Sequence, residues 1–190
     1  MSKEKNVSCY QLKITLRGSE PPIWRRVVVP GSITLSKLHD VIQVVMGWTD
    51  THLHEFVVRG VRYGVPDPES PSEWRNEARV TLNRLLDKKR QKFFYVYDFG
   101  DGWEHVIELE EIISDEEALS QPICIGGERA CPPEDCGGIY GYYDLLRTIE
   151  DPGHPKHDDM VGWLGDEIDP EFFDMDEVNE ILSRLKWKAN

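Results

Sequence analysis

YVYDFGDGWEHVIEL, residues 95–109, consists of two runs of alternating apolar and polar residues on either side of a turn. Its centre, Asp101-Gly102, is a two-residue turn signal, because both positions tolerate positive φ. With that pair at the tip, Asp98 faces His105, Tyr97 faces Val106, Val96 faces Ile107 and Phe94 faces Leu109. One face then carries Phe94, Val96, Trp103, Ile107 and Leu109, with Asp98 and His105 among them. The other carries Tyr95, Tyr97, Phe99, Glu104 and Glu108. Directly opposed Cβ atoms lie about 4.5–5.5 Å apart, so Asp98 and His105 are expected within hydrogen-bond reach. A carboxylate beside an imidazole orients a general base or a metal ligand. The same pair, buried, also pins a hairpin register. Asp98-Phe99-Gly100 does not indicate a kinase, since the Gly-rich loop, strand lysine and catalytic loop of that fold are missing.

Upstream, CYQLKITLR (9–17) alternates, with Tyr10, Leu12, Ile14 and Leu16 on one side. A turn leads to a second strand, IWRRVVV (23–29), ended by Pro30-Gly31. TLSKLHDVIQVVMGW (34–48) places Leu35, Leu38, Val41, Ile42, Val45 and Met46 at helical spacing. Ser32 or Thr34 can cap its start and Gly47 can end it. HLHEFVVRGVRYGV (52–65) reads as two short strands around Arg59-Gly60. Residues 66–79 read as a Pro-rich charged loop and VTLNRLL (80–86) as a short helix. Beyond the central hairpin, SDEEALSQ (114–121) is an acidic connector and CIGGERACPPEDCGG (124–138) a Gly/Pro/Cys loop. Three helical stretches follow at 139–151, 155–165 and 174–187, the last opening on capping-box spacing between Asp174 and Glu177. The expected fold is α+β: a mixed sheet of about five to six strands with one helix across a face, in β-grasp-like order, then a helical C-terminal part packed against it. Residues 1–190 form one domain, with a sheet-plus-helix part at 1–113 and the Gly/Pro/Cys loop and helices at 114–190.

A chain of 190 residues, 39% hydrophobic, is long enough to bury a core without staples. No apolar run approaches the ~20 residues that cross a membrane, and MSKEKNVSCY offers no signal peptide. A cytoplasmic protein without membrane partners is expected. The net charge of −13 is unevenly spread: residues 1–95 hold 16 Lys+Arg against 10 Asp+Glu, and residues 96–190 hold 6 against 25. Either a basic surface for an anionic partner sits beside an acidic half, or the two halves neutralise each other. Non-specific DNA binding needs a dense cationic patch, and the net charge opposes it.

The four cysteines read as free thiols or ligands rather than disulfides. Cys124, Cys131 and Cys136 have spacing C-x6-C-x4-C, unlike the paired spacing of zinc modules. A zinc site there would need a fourth ligand such as His105, His154 or His157; small buried thiols fit the same spacing. Glu134 and Asp135 lie side by side before a helix, where acids suit the dipole as well as a catalytic or Mg²⁺-binding role. His39, at the edge of an apolar stripe, reads as a core histidine. His52 and His54, flanking Leu53, are expected on one face and could chelate a metal. No serine-hydrolase elbow, P-loop or dinucleotide fingerprint is present.

The segments YQLKITLRGSEPPIWRRVVVP, LHDVIQVVMGW, HLHEF, YVYDFGDGWEH, RACPPEDCGG and GYYDLL together resemble the plasmid pRiA4b Orf-three-like family, from about Tyr10 to Leu185. The resemblance implies association with plasmids and mobile elements, and implies no established reaction, cofactor or catalytic residue. It marks Trp24, Arg25, His39, Trp48, His52, Asp98, Gly100, Asp101, Trp103, His105, Pro132, Pro133, Glu134, Asp135 and Gly137 as motif residues without assigning roles. Some family names invoke a resolvase, but neither a nucleophilic serine amid arginines nor a helix-turn-helix can be placed here.

Two functions of different kinds follow. One is a non-catalytic binding module for a protein or nucleic-acid partner, with Trp24, Arg25, Trp48 and Trp103 as binding residues; it requires exposed aromatic or basic surface. The other is a metal-dependent hydrolase, acting on phosphoesters, with Asp98, Asp101, His105, Glu134 and Asp135 as its polar cluster and zinc or another divalent metal as cofactor. It requires the DFGDGWEH turn and the CPPEDC loop to converge.

Overall fold

The computed structural model describes residues 8–66, 74–114, 119, 121–165 and 168–185. Half of the expected Pro-rich loop, most of the acidic connector and the end of the last helical stretch lie outside them. β1 (Ser8–Leu16) and β2 (Trp24–Pro30) pair antiparallel, from Cys9 opposite Pro30 to Thr15 opposite Trp24. The chain then enters α1 (Leu35–Met46). Thr34 caps it by accepting a hydrogen bond from the Lys37 N–H at 3.2 Å, and Gly47 ends it with φ 85°. All six residues of the apolar stripe are buried, as an amphipathic period requires.

β3 (His54–Val58) and β4 (Val61–Gly64) form a hairpin whose tip, Arg59-Gly60, has φ 51° and 78°. β5 (Arg75–Asn76) lies parallel to β4, and a 3-10 turn (Glu77–Arg79) leads to α2 (Leu82–Leu85). β6 (Lys92–Tyr97), β7 (Trp103–Ser114) and β8 (Ile123–Glu128) complete the sheet. The C-terminal helices are α3 (Gly138–Glu150), α4 (His157–Leu164) and α5 (Met175–Arg184). Asp174 Oδ1 caps α5 on the N–H groups of Asp176 and Glu177.

Among the described residues the sheet has eight strands in the order β5-β4-β3-β6-β7-β1-β2-β8, rather than five to six. All pairings are antiparallel except β4–β5. The largest departure from expectation is β8, which falls in the stretch read as a loop. Gly126-Gly127 hides the strand, since glycine weakens β-propensity, yet a glycine in a strand often marks close approach. A Cβ at Gly127 would lie 2.6 Å from the Phe173 ring and 2.8 Å from Arg25 Cδ. The sheet therefore continues past residue 113, and the C-terminal part is not purely helical. Among the described residues no helix is long and apolar enough to cross a membrane.

The central hairpin forms, in a different register. Tyr97 faces Trp103, Tyr95 faces His105 and Phe93 faces Ile107. The turn is five residues long, Asp98–Gly102, closed by the Gly102 N–H on the Asp98 carbonyl at 2.6 Å. Asp98 and Gly102 take φ 54° and 67°, and Asp98 Oδ1 accepts from the Gly100 N–H at 2.8 Å. The odd shift turns β6 over: Phe93, Tyr95 and Tyr97 are buried and Phe94 is exposed. The physical reason lies outside the hairpin. Both tyrosine hydroxyls find internal partners, so burying two large rings, each worth roughly 1.5–3 kcal/mol, leaves no polar group stranded. Asp98 and His105 are consequently not cross-strand neighbours.

Three residues expected at a binding surface belong to the core. Trp48, Trp103 and Arg25 are only 7%, 1% and 2% exposed. Among the described residues, Arg25 has no carboxylate among its hydrogen-bond partners. Its guanidinium donates to the carbonyls of Val45 (2.7 Å), Trp24 (2.9 Å), Glu128 (2.9 Å) and Arg129 (2.8 Å) and lies over the Phe173 ring. It thus fastens the end of α1 to β8 and the loop beyond. Trp24 is partly exposed, flanked by Lys13 and Arg26 at 4.8 and 4.9 Å from its ring centroid.

Candidate functional site

The segment between α1 and β3 meets the end of β6 and the loop before α3. Trp48 ties them together: its Nε1–H donates to the Pro132 carbonyl at 3.1 Å, and its ring stacks on Tyr97 with centroids 5.0 Å apart. The Tyr97 hydroxyl donates to Glu134 Oε1 at 2.5 Å and accepts from the Thr51 N–H at 3.0 Å. Burial first, and the bond to Glu134 second, push its pKa up to about 12, so it remains a donor at neutral pH. Glu134 Oε2 also accepts from the N–H and hydroxyl of Thr49, at 3.2 and 2.5 Å. Glu134 is therefore engaged in fixing the loop.

The 98–102 turn meets the same loop directly. Asp101 Oδ2 accepts from the Gly137 N–H at 3.1 Å. Gly138 approaches so closely that a Cβ there would lie 2.3 Å from the Asp101 carbonyl oxygen. The DFGDGWEH turn and the CPPEDC loop, more than thirty residues apart in sequence, are in contact.

At this junction His52 Nε2 lies 3.2 Å from Asp135 Oδ1 and 3.7 Å from Asp98 Oδ2. The nitrogen is itself buried and makes a hydrogen bond of ordinary geometry to neither carboxylate. Ligand-capable atoms of His52, Asp98 and Asp135 all lie within 4.8 Å of one another. Asp98 is nearly buried, while Asp135 is 69% exposed and opens the group to solvent. Both aspartates sit in left-handed backbone, φ 54° and 60°, a conformation that Asp tolerates better than most residues. A cavity of about 380 Å³ lies on the Trp48 and Glu134 side of the loop, lined also by Cys131, Pro132, Asp169 and Phe172; His52, Asp98 and Asp135 do not line it.

Of the five residues of the expected polar cluster, the junction gathers Asp98, Asp101, Glu134 and Asp135. His105 is elsewhere: fully buried, edge-on to Trp48 and against Tyr95. Among the described residues, neither ring nitrogen makes a hydrogen bond of ordinary geometry. Burial pushes its pKa down to about 4, partly offset by the backbone of Tyr95 and Trp103. The cysteines are separate again. Cys124 is buried in β8, where its N–H and carbonyl pair with the Asn179 side chain of α5 at 2.8 and 2.9 Å. Burial raises the pKa of Cys131, and that of Cys136 to about 12. Among the described residues, neither group of three convergent ligand atoms includes a cysteine.

The residue that sequence reasoning missed is Tyr97, and the roles of His52 and His54 differ from expectation. These histidines do not share a face. His54 opens β3 while His52 precedes it, so strand alternation does not govern the pair. His52 turns to the junction, and His54 stacks on His39 with centroids 3.5 Å apart.

Comparison with known proteins matches this architecture. A crystal structure of a protein of unknown function, MM3350 from Methanosarcina mazei Go1, superposes with a TM-score of 0.81 at 38% identity, covering 90% of this chain and 97% of that one. The uncharacterised protein y4hQ of Sinorhizobium fredii is 39% identical over 184 residues, 95% of this chain and 94% of its own length. The profile described as plasmid pRiA4b ORF-3-like protein matches residues 8–177, which takes in both the DFGDGWEH turn and the CPPEDC loop. With that match over most of its length, the chain belongs to the plasmid pRiA4b ORF-3-like protein family.

Proposed function

We propose that the chain is a divalent-cation-dependent hydrolase whose site is the junction of the DFGDGWEH turn, the CPPEDC loop and His52. One observation carries the reading: a buried imidazole nitrogen points between two carboxylates, at 3.2 and 3.7 Å, without hydrogen-bonding to either. A cation coordinated by all three would complete that arrangement. One imidazole and two carboxylates suit Zn²⁺ or Mn²⁺. Three protein ligands leave coordination positions for water, and such a metal lowers the pKa of its bound water toward neutrality. The residues of the chain do the holding. Gly100 fixes Asp98 through one oxygen, Asp101 fixes the start of α3, and Tyr97 with Thr49 fixes Glu134.

The test is metal content and turnover of the full chain without a histidine tag, with a phosphomonoester and a phosphodiester as probes. One equivalent of bound metal and metal-dependent turnover are expected. Both fall at least ~100-fold in Asp98→Asn and Asp135→Asn, with circular dichroism unchanged. Metal binding and turnover that survive in both variants, or no turnover with any divalent ion, would overturn the reading.

A second reading, an interaction module, is favoured by α4. None of its residues is buried; Val161 and Trp163 are exposed, and Val161 lines an apolar cavity of about 660 Å³ with Leu146, Ile149, Leu164 and Pro170 among others. Failure of the metal test would make this face the one to pursue.

A further inference from the structure

A groove of about 660 Å³ lies between α3 and α4. Leu146 and Ile149 of α3 line it on one side and Val161 and Leu164 of α4 on the other, with Ile168 and Pro170 completing the lining. α4 is eight residues long and none of them is buried. A helix that short is marginal in water by itself and depends on packing its apolar face. Here much of that face is left to solvent: Val161 is 45% exposed and Trp163 47%. Large apolar side chains gathered around a concavity mark a binding surface. The apolar surface also runs past the groove, since Trp163 is exposed without lining it. A small molecule filling the groove would leave that ring in water. A partner surface that enters the groove and covers Trp163 removes more apolar area from solvent.

Charge decides which partner fits. Residues 138–185 hold 13 Asp+Glu against 3 Lys+Arg. Two of those three cations, Arg147 and Arg184, are paired with Asp144 and Glu180. Glu150 is exposed and lies in the groove wall itself. Asp158 and Asp159, both exposed, stand in the first turn of α4. Asp158 is three residues before Val161 and therefore on the same side of the helix. A second copy of the chain would bring these carboxylates against their own equivalents, because a two-fold contact opposes one patch to itself. A nucleic acid would meet the same repulsion through its phosphates. A purely basic tail would leave the apolar walls uncovered. The occupant that satisfies both the walls and the rim is apolar on one side and cationic on its flanks.

We propose that the α3–α4 groove docks a basic amphipathic helix of a partner protein. Its apolar anchors, three and four residues apart, enter between the α3 and α4 walls, the usual way a helix is held in a groove. Lys or Arg beside the anchors meets Glu150, and cations toward one end of the docked helix meet Asp158 and Asp159. Trp163 covers the rim of the contact, where an aromatic ring contributes most to binding. The acidic surplus of the helical half steers the basic partner to this face. That occupant presupposes the interaction-module reading of α4 and needs no metal at the junction.

The experiment titrates the full chain into three labelled synthetic helical peptides, read by fluorescence anisotropy. The first carries Leu at helical spacing and Lys elsewhere; the second has Glu in place of each Lys; the third has Ser in place of each Leu. Only the first is expected to bind. Its affinity should fall at least ~5-fold in Trp163→Ser and in Glu150→Lys. Both residues are exposed, so these variants leave the core intact. Asp87→Lys makes the same charge change as Glu150→Lys at an exposed site after α2, and should change the affinity less than ~2-fold. Equal weakening by Asp87→Lys, or equal binding of the Ser peptide, would reduce the effect to long-range charge and overturn the proposal. Binding of the Glu peptide, no binding of the Lys peptide, or affinity unchanged by Trp163→Ser would overturn it too. Sedimentation of the free chain separates these failures from failure of the interaction reading. A dimer that Trp163→Ser dissociates would make the occupant a second copy and keep the interaction module, whereas a monomer that binds none of the peptides would remove both.

Discussion

Arg25 and His105 are both polar residues enclosed by the fold, and each makes a separable prediction. Arg25 satisfies four backbone carbonyls from three parts of the chain. Removing it takes the side-chain donor from those oxygens, at about 1–3 kcal/mol for each then left unpaired where water cannot reach. Arg25→Met should therefore cost about 3 kcal/mol or more in urea unfolding, and Arg25→Lys clearly less. A loss below about 1 kcal/mol for Arg25→Met would mean that water takes over the carbonyls. His105 predicts a pH dependence. Its folded pKa, about 4, lies below the ordinary 6.5, so between those values the unfolded chain binds the extra proton. Stability from this residue is complete above pH 6.5 and is lost as pH falls toward 4, by about 3 kcal/mol in all. His105→Leu should flatten that limb of the stability profile. An unchanged slope between wild type and variant would show that the acid sensitivity belongs to other groups.

Glycines set the contacts between elements. Gly138 has φ 69° and no room for a Cβ beside the Asp101 carbonyl, whereas Gly102 has φ 67° and open space around it. Gly102→Ala should cost about 1 kcal/mol, from the left-handed conformation alone, and Gly138→Ala at least about 2 kcal/mol more, because the turn and the loop must also part. Equal losses in urea midpoint would mean that the contact is readily given up. The same scale explains what could be read in advance. The stripe of α1, the alternation of β1 and the caps at Thr34 and Asp174 are local patterns, and the structure contains them. The register of β6 against β7 was not legible. It depends on where the Tyr95 and Tyr97 hydroxyls find partners, and those are His39, Gln43, Thr51 and Glu134, remote in sequence. β8 was hidden by two glycines, and the reason for one of them, Gly127, is the close approach of Phe173 and Arg25. The pieces of the candidate site were legible as motifs; the meeting of His52 with Asp98 and Asp135, and the stacking of His39 on His54, are tertiary facts with no local periodic signal.

Across the whole molecule, the basic first half and acidic second half meet at the sheet. β7 supplies Glu104, Glu108, Glu110 and Glu111, which pair with Arg17, Lys92, Arg26 and Lys89. The asymmetry is thus partly neutralised within the fold. The Arg26–Glu110 pair is the least exposed of these, held at two points and joined by Gln11, and Arg26 holds the Glu110 carboxyl below its ordinary range. The other three are solvent-exposed and worth at most about 1 kcal/mol each. They stand against a net charge of −13, whose self-repulsion opposes compaction at long range. Salt screens both, but long-range repulsion is the more sensitive, since the screening length falls from about 14 Å to about 4 Å between about 0.05 and 0.5 M salt. Repulsion should win the comparison: raising NaCl over that range should raise the melting temperature by a few degrees, on the order of 2–4 °C. A falling melting temperature would mean instead that the pairs across the sheet outweigh the surplus of acid, and Glu110→Gln should then remove most of the salt dependence.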